Sequence, residues 1–458
     1  MIEFLPLIMF LVVFLVLILG YPVALCLSGT ALLFAFGGHL TGVFALSDLG
    51  FLPGRLFGIL SNQTLIAIPL FIFMGVTLEK TRIAEALLSN ISLLLRGLKG
   101  GLAVAVIVVG TLMAASTGIV GATVVTMGLM SLPIMLKQGY APSVATGTIC
   151  ATGTLGQIIP PSIALVLLGD VLSNAYQQAQ LSMGVFSPKT VSVGDLFAGA
   201  LIPGLLLVCF YLLYVVIRAQ LYPAELPAFK RQEQQESSAP AYLSLLGGLF
   251  APLCLILSVL GSILTGIATP TEASGVGAIG ATLLGMLHKK FSLTNLLEIS
   301  QSTLKTTSMV FFILIGASVF SLVFRGYGGD ELIQSLFVDM PGGKWGALLI
   351  VMGIIFLLGF ILDFIEITFV VVPIVGPVLL GMGIDPVWLG IMLAVNLQTS
   401  FLTPPFGFAL FYLRGVAPTS IQTTEIYRGV VPFIGMQLLL LLVLCLWPGL
   451  VNWLPNLL

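Results

Sequence analysis

Long apolar stretches alternate along this chain with short segments rich in glycine, proline and charged residues. The hydrocarbon core of a bilayer is about 30 Å thick, which a helix of about 20 apolar residues can cross. We therefore predict about ten helical crossings. They cover residues 4–20, 22–38, 64–78, 142–169, 200–217, 243–263, 270–287, 306–324, 386–413 and 430–450.

Two further apolar stretches carry small or acidic residues in the middle. The first covers 101–136 and is interrupted around Ser116 to Gly118, and the second covers 345–380 and is interrupted around Asp363. We predict that each forms a re-entrant hairpin, which enters and leaves the membrane on the same side. Irregular backbone at membrane depth is tolerated only where it is buried in protein or lines a cavity. The two hairpin tips are therefore candidate binding sites.

The composition agrees with a membrane protein and excludes several other classes. Of the 458 residues, 58% are apolar and 8% are charged, whereas soluble domains carry about 25% charged residues. A net charge of −1 leaves no basic field for nucleic acid. The five cysteines occur singly and there are two histidines, which argues against a disulfide framework, a zinc site or a Cys–His pair.

Enzyme activity is not expected. An intramembrane serine protease would need a histidine at membrane depth, but His39 and His288 fall at predicted span ends. The sequence has no phosphate-binding loop of the GxxxxGK type, so ATP is not the expected energy source. A passive channel stays open as an alternative, although hairpins and broken helices favour a closed site with alternating access.

Basic residues predict the orientation, because Lys and Arg near span ends concentrate on the cytoplasmic side. With the N-terminus outside, all but four of the 17 basic residues fall in cytoplasmic segments. The four on the outside are Arg55, Lys189, Arg325 and Lys344. The polar segment 223–242 then forms a cytoplasmic linker between two halves.

Glycine and proline positions reveal an internal repeat with a constant offset of 244 residues. Pro133, Gly139, Pro142, Pro160 and Pro161 match Pro377, Gly383, Pro386, Pro404 and Pro405. The halves face opposite ways, because Lys289 and Lys290 follow the second span of the second half, whereas the first half has no base there. We predict two inverted repeats, 1–222 and 243–458, each with scaffold spans, a hairpin and a broken helix. Such repeats are typical of secondary transporters.

Candidate cation ligands of the first half lie at the hairpin tip and at the break in helix 142–169. They are Ser116, Thr117, Gly118 and Thr123 at the tip, and Thr152, Gly153, Thr154 and Gly156 at the break. Pro160 and Pro161 lack amide donors, so they leave helix carbonyls unpaired. Hydroxyl and carbonyl oxygens suit a hard cation such as Na⁺, and the positive ends of half-helices suit an anion. The alternative is that these small residues only allow close helix packing.

The second half repeats this arrangement with more polar groups. Asp363 and Glu366 lie at the second tip, and Asn396, Gln398 and Thr399 precede the paired prolines of the broken helix. A carboxylate near the bilayer centre costs about 2.5–3.5 kcal/mol on insertion scales, so we expect it to pair with another group or to have a function. The two acids could bind Na⁺, carry a proton or pair with a base on a companion subunit.

Three other segments have structural interpretations. Thr269 and Glu272 flank Pro270 in the pattern of a capping box, in which the two side chains satisfy free amides at a helix start. The tracts 81–98 and 292–304 are amphipathic, and we predict that they lie along the cytoplasmic interface.

Three stretches resemble a known family. They are the run from Gly118 to Gly169 containing GQIIPPSIALVLLG, GIATPTEASGVGAIGA at 266–281, and GIDPVWLGIMLAVNLQTSFLTPPFGFALFYLRGVAP at 383–418. Together they resemble the large membrane subunit of tripartite ATP-independent periplasmic (TRAP) transporters, the DctM-like family. The chain is similar to the mannitol/chloroaromatic subgroup of this family. The resemblance extends over nearly the whole chain.

The resemblance implies an all-α polytopic membrane protein of the ion transporter superfamily type, an inverted-repeat elevator transporter of the bacterial inner membrane. It implies Na⁺ symport of a small organic carboxylate such as a 2-oxo acid, lactate or a dicarboxylate. Two partners are expected: a small four-helix, DctQ-like membrane subunit and a periplasmic, DctP-like substrate-binding protein. A stand-alone Na⁺/anion symporter with the same hairpins is the alternative.

The resemblance also implies two Na⁺ sites. The first would involve 116–123 and 152–156, and the second would involve 363–366 and 396–399, with substrate between the two tips.

Overall fold

The computed structural model describes residues 4–81, 83–228, 241–287, 291–338 and 340–458, and these residues form no β-strand. The helices before the linker are α1 (Leu5–Ile18), α2 (Val23–Leu40), α3 (Leu52–Leu60), α4 (Gln63–Lys80), α5 (Ile83–Leu94), α6 (Gly101–Thr117), α7 (Val120–Lys137), α8 (Pro142–Thr154), α9 (Ile163–Ser182) and α10 (Val193–Leu221). The helices after it are α11 (Ala241–Leu264), α12 (Pro270–Leu287), α13 (Leu293–Gly326), α14 (Gly329–Val338), α15 (Gly343–Leu358), α16 (Phe364–Val370), α17 (Val372–Gly381), α18 (Pro386–Leu402), α19 (Phe408–Val416), α20 (Thr423–Leu446) and α21 (Gly449–Asn452). Short 3₁₀ segments cover Leu46–Phe51 and Leu155–Gln157.

Six of the described helices are long and apolar enough to cross a membrane, namely α2, α4, α7, α10, α13 and α20. Helices α16 and α17 form a pair bent by 57° that adds a further broken span or re-entrant segment. Several of the other predicted crossings consist of shorter apolar helices such as α1 and α18. The all-α, multi-pass membrane architecture predicted from the sequence is confirmed.

Helix α13 departs from the sequence-based expectation. The amphipathic tract 292–304 is predicted to lie along the interface, but the structure continues it without a break into the following span, as one helix of 34 residues. Neither glycine nor proline occurs between 291 and 315, so the backbone has no strong helix breaker there. The tract 81–98, in contrast, contains the separate helix α5.

The predicted first hairpin consists of α6 and α7, which Gly118 and Ile119 separate. Gly118 ends α6 with a φ of +60°, a left-handed conformation that favours glycine. At the opposite end, the Leu102 amide donates to Tyr140 Oη at 3.2 Å. The start of α6 therefore lies beside the residues that follow α7, and the chain returns towards the end from which it came.

The predicted second hairpin consists of α15 followed by the bent pair α16 and α17, with a non-helical break at 359–363. Its two ends also lie close together. The rings of Trp345, at the start of α15, and Trp388, at the start of α18, meet edge to face with centroids 6.0 Å apart. Aromatic pairs of this geometry add about 0.5–1.5 kcal/mol beyond the area they bury.

Both predicted broken helices are interrupted at their paired prolines. Helix α8 ends at Thr154, and α9 begins at Ile163 after a 3₁₀ turn and an irregular segment. Helix α18 ends at Leu402 and α19 begins at Phe408. Proline has no backbone N–H and cannot continue a helical ladder, which accounts for both interruptions. The peptide bonds between the paired prolines are cis in both breaks.

The chain divides into two compact units. The first unit comprises Met1–Ile66, Leu167–Ser192 and Leu304–Gly390, and the second comprises Ala67–Val166, Val193–Thr303 and Ile391–Leu458. Each unit draws on both sequence halves, so the repeat boundaries 1–222 and 243–458 stay a prediction. Of the predicted linker 223–242, residues 229–240 lie outside the described residues.

Within the second unit, α8 and α20 cross at paired glycines. A Cβ atom on Gly147 would contact the Gly429 carbonyl, and a Cβ atom on Gly429 would contact the Ser143 carbonyl. Small residues let helix backbones approach this closely in membranes. The crossing holds α8, which carries three of the candidate ligands, against α20.

Gly429→Ala is therefore expected to lower the melting temperature of the purified protein by several degrees. Its methyl group would overlap the α8 backbone, and overpacking costs about 1–3 kcal/mol. Gly435→Ala on the same helix is the matched control, because nothing lies within 4 Å of the Cβ that it adds. Thermal unfolding of both variants in detergent measures the difference, and equal melting temperatures would contradict the close crossing.

Candidate functional site

The first hairpin tip and the break between α8 and α9 meet in the second unit. A Cβ atom on Gly118 would lie 2.8 Å from the Ile163 amide nitrogen, at the start of α9. A Cβ atom on Gly156 would lie 3.2 Å from the Ala114 carbonyl oxygen and 3.6 Å from the Gly118 carbonyl carbon. The structure thus brings together the two segments that carry the predicted ligands of the first Na⁺ site, with glycine at both contact points.

Buried hydroxyls face one another at this tip. Thr117 Oγ1 and Thr123 Oγ1 are 2.7 Å apart, and each also lies 3.0 Å from a backbone carbonyl, of Met113 and Ile119 respectively. Ser116 Oγ donates to the Met113 carbonyl at 2.9 Å. A hydroxyl has one proton and two lone pairs, so the two protons of Thr117 and Thr123 serve at most two of their three contacts at a time, and lone pairs remain for another ligand.

The break itself exposes backbone carbonyls to side-chain donors. Ser162 Oγ lies 2.7 Å from the Gly156 carbonyl oxygen and 3.3 Å from that of Gln157. In a continuous helix each carbonyl would accept from an amide of the next turn. Neither carbonyl has such a donor here, because the segment up to Ser162 is not α-helical and contains two prolines. This hydroxyl therefore stabilises the interrupted backbone, and the sequence interpretation did not include it.

Two of the predicted break residues have packing roles. A Cβ atom on Gly153 would contact the Val124 side chain of α7, and the Thr152 methyl group lies against Gly110 of α6. The Thr152 hydroxyl donates to the Thr148 carbonyl at 2.6 Å, within its own helix. Both positions therefore take part in close helix packing, and their role as cation ligands stays a prediction.

Thr154 is the centre of a buried amide cluster, which we define as Thr154, Gln398, Gln437 and Tyr211. Gln398 Nε2 and Gln437 Nε2 lie 3.3 Å and 3.5 Å from Thr154 Oγ1, and Gln437 Nε2 donates to Tyr211 Oη at 2.8 Å. The sequence separation of Thr154 and Gln398 is 244, which equals the repeat offset. Two residues that the predicted repeat places at equivalent positions of the halves therefore meet here.

Three buried amide oxygens of the second unit, two of them in this cluster, have no partner among the described residues. Within the described residues, the buried Oε1 atoms of Gln157, Gln398 and Gln437 have no hydrogen-bond partner. Leaving a buried acceptor unpaired costs about 1–3 kcal/mol, so such atoms point to a ligand or a water molecule. Sequence reasoning missed Gln157 and Gln437, although Gln437 is the single amide in the apolar stretch 430–450.

The two acids of the second tip, in the first unit, cap a helix. Asp363 Oδ1 accepts from the Phe364 amide at 2.7 Å, and Glu366 Oε2 accepts from the Asp363 amide at 3.0 Å. Together they form a capping box at the start of α16. Thr269 and Glu272 form the capping box predicted for them, with the Thr269 amide and hydroxyl both 2.8 Å from Glu272 Oε2. The same local pattern therefore acts at both places.

Asn396 and Thr399 are buried near the C-terminal end of α18, in the second unit. Thr399 Oγ1 donates to the Val395 carbonyl at 2.8 Å. Gln398, predicted as a ligand of the second Na⁺ site, contacts Thr154, which is predicted for the first. The second Na⁺ site stays a prediction.

This set of features defines a class of protein: an α-helical membrane transporter built on hairpins and broken helices. The fold is similar to the solved structure of Neisseria gonorrhoeae MtrF, which illuminates a class of antimetabolite efflux pumps. The TM-score is 0.63 at 12% sequence identity, over 87% of this chain and 83% of that chain.

The chain belongs to the family of the DctM component of tripartite ATP-independent periplasmic transporters, which matches residues 10–450. It is 30% identical over 406 residues to the C4-dicarboxylate TRAP transporter large permease protein DctM of Pseudomonas aeruginosa, covering 88% of each chain. It is 29% identical over 442 residues to the sialic acid TRAP transporter large permease protein SiaM of Vibrio cholerae, covering 96% and 95%. Family membership confirms a transporter subunit rather than an enzyme. The mannitol/chloroaromatic subgroup stays a prediction.

Proposed function

We propose that this chain is the transmembrane permease subunit of a TRAP transporter that imports a small organic carboxylate with Na⁺ across the bacterial inner membrane. The observation that carries the proposal is the meeting of the first hairpin tip with the α8–α9 break in the second unit. The family supports the TRAP assignment. The names of the two relatives above contain the acids C4-dicarboxylate and sialic acid, which favours an acidic substrate.

The coupling Na⁺ binds at the first tip in this proposal. The lone pairs of Thr117 and Thr123 and the carbonyls of the break at Gly156 form a neutral oxygen set, which suits a hard monovalent cation. Ser116, next to Thr117 in the chain, contributes a further hydroxyl at the edge of the set.

The organic carboxylate binds where helices begin. Helix α9 starts at Ile163, beside Gly118, and α7 starts at Val120, two residues beyond it. The first amides of a helix have no intrahelical acceptor, and the helix dipole favours negative charge there. A bound Na⁺ next to these amides would add attraction for the same anion, which gives a physical basis for coupling.

Transport proceeds by an elevator type of alternating access in this proposal, with a small DctQ-like membrane subunit and a DctP-like periplasmic binding protein as partners. Inverted repeats with discontinuous helices support alternating access as the mechanism. The stand-alone Na⁺/anion symporter and the passive channel are the competing functions.

Proteoliposome uptake tests the proposal. The chain is reconstituted with a DctQ-like membrane subunit and a DctP-like binding protein, and uptake of a labelled C4-dicarboxylate, a 2-oxo acid and lactate is measured. Uptake of one of them should require an inward Na⁺ gradient and should stop when K⁺ replaces Na⁺. Full uptake without the binding protein would favour the stand-alone symporter. A flux that does not depend on the Na⁺ gradient, at a rate far above the turnover of a carrier, would favour a channel.

Thr123→Val should weaken the apparent affinity for Na⁺ about tenfold, equivalent to about 1.4 kcal/mol. Valine keeps the branched shape but removes the hydroxyl that lies against Thr117. Thr111→Val on α6 is the matched control, because Thr111 Oγ1 also donates to a carbonyl of its own helix, that of Ile107, at 2.7 Å. The Na⁺ dependence of uptake is the measurement. An unchanged Na⁺ dependence in Thr123→Val would remove this hydroxyl from the ligand set.

A further inference from the structure

A cavity of about 550 Å³ lies within the first unit, and none of the hairpin-tip ligands of the second unit lines it. Residues of α3, α9, α13, α16 and α17 line it. Its volume falls within the range of about 300–1,000 Å³ that is typical of small-molecule sites. Its walls are largely apolar, and the polar side chains converge from α3, α9 and α13.

Two arginines define the electrostatics of this cavity. Arg325 is held in place, because its Nε lies 3.2 Å from Asp330 Oδ2 and its guanidinium donates to Gln178 Oε1 at 2.9 Å. Gln178 Nε2 lies 3.3 Å from the same carboxylate oxygen. This three-residue network fixes one guanidinium at the cavity wall.

Arg55 is the group without a partner. Its side chain is half-buried on the same cavity, and within the described part of the chain it makes no hydrogen bond or ion pair. Burial lowers the pKa of Arg55, the positive charge of Arg325 lowers it further, and Asp330 opposes both effects. A half-buried guanidinium that faces a second one lacks the anion with which such groups normally pair.

The cavity lining also carries an oriented acceptor. Asp170 Oδ1 accepts from Asn62 Nδ2 at 2.8 Å, and Asn62 Oδ1 in turn accepts from the Thr64 amide at 2.9 Å. The side chains of both Asp170 and Asn62 line the cavity. A ligand with an anionic end towards Arg55 and a hydrogen-bond donor towards Asp170 would match this distribution.

We propose that this cavity is a second binding site, which takes a small organic carboxylate between the guanidiniums of Arg55 and Arg325. A cavity of this volume suits a small molecule. A carboxylate between two like charges relieves their repulsion and accepts several charge-assisted hydrogen bonds. Both arginines belong to the predicted outside residues, so the site receives ligand from the outer face. We expect the site to bind without Na⁺, since none of the candidate Na⁺ ligands of either tip or break lines it.

Binding in the absence of Na⁺ tests the proposal and separates it from the proposed symport. The full chain is reconstituted in nanodiscs of phosphatidylcholine in a K⁺ buffer, and succinate, lactate and pyruvate are titrated by thermal shift and calorimetry. At least one should bind saturably. Arg55→Ala should weaken that binding at least tenfold, equivalent to about 1.4 kcal/mol. Lys189→Ala removes another predicted outside charge, which is not part of the cavity lining, and should bind like the unmodified protein.

Several outcomes would overturn the proposal. They are the absence of Na⁺-independent binding, equal affinity in Arg55→Ala and the unmodified protein, and displacement of the carboxylate by phosphatidylglycerol, which would identify a lipid headgroup site. Arg55→Gln provides a second variant of similar length should Arg55→Ala fail to fold. Failure of Na⁺-driven uptake would leave this binding result intact, so the two proposals are tested separately.

Discussion

Gly118→Ala is expected to reduce Na⁺-driven uptake by about 100-fold, which corresponds to about 2.7 kcal/mol. A non-glycine residue in the left-handed region costs about 1–3 kcal/mol, and the φ of Gly118 is +60°. The added methyl group would also lie 2.8 Å from the Ile163 amide nitrogen, which is too close for a Cβ contact. The tip would have to move away from the break, and the proposed ligands would separate.

Gly383→Ala separates these two effects. Gly383 has a φ of +81°, but nothing lies within 4 Å of the Cβ that alanine would add, so alanine there meets only the backbone cost. Uptake is measured in proteoliposomes at matched protein content, and size-exclusion chromatography checks that both variants fold. If the two variants transported equally, the contact between tip and break would not be needed for transport.

Asp363→Ala is expected to abolish Na⁺-dependent uptake. The substitution removes a negative charge from the second hairpin tip and removes the acceptor for the Phe364 amide. Loss of a helix N-cap alone costs about 0.5–2 kcal/mol, so the alanine variant combines a structural effect with an electrostatic one.

Amide variants distinguish charge from capping at this tip. Asp363→Asn keeps a good N-cap residue, and Glu366→Gln keeps the partner that a capping box requires. If the charges bind Na⁺ in the predicted second site, both variants should fold normally and lose Na⁺ dependence. If uptake by both variants follows the unmodified protein at every Na⁺ concentration, the acids serve only to begin α16. Uptake driven by a proton gradient would instead support the proton-carrying alternative.

The backbone plan of this chain was predictable from the sequence because its determinants are local. Gly118 ends α6 because it adopts the left-handed conformation itself. The paired prolines separate α8 from α9 and α18 from α19, because proline has no amide donor to continue a helix. Such effects need no knowledge of distant residues. The tips and breaks consequently fall within the predicted segments.

The composition of the buried amide cluster was not predictable in the same way. Gln437 reaches Thr154 across 283 residues of sequence, and only the crossing of α8 with α20 brings them together. The capping role of Asp363 and Glu366 was visible in the sequence, since they have the spacing recognised at Thr269 and Glu272. The sequence analysis did not include it, because two acids in an apolar stretch were interpreted as groups that bind a cation, a proton or a partner subunit.

The uninterrupted helix α13 has a mechanical consequence. Its 34 residues extend about 51 Å at 1.5 Å per residue, whereas the hydrocarbon layer is about 30 Å thick. A helix of this length crosses the layer with a strong tilt or with up to about 20 Å outside it, and the exposed ion pair between Lys80 and Glu298 joins its N-terminal part to α4. Because no glycine or proline interrupts residues 291–315, we expect a change of tilt at this end to be transmitted along the helix.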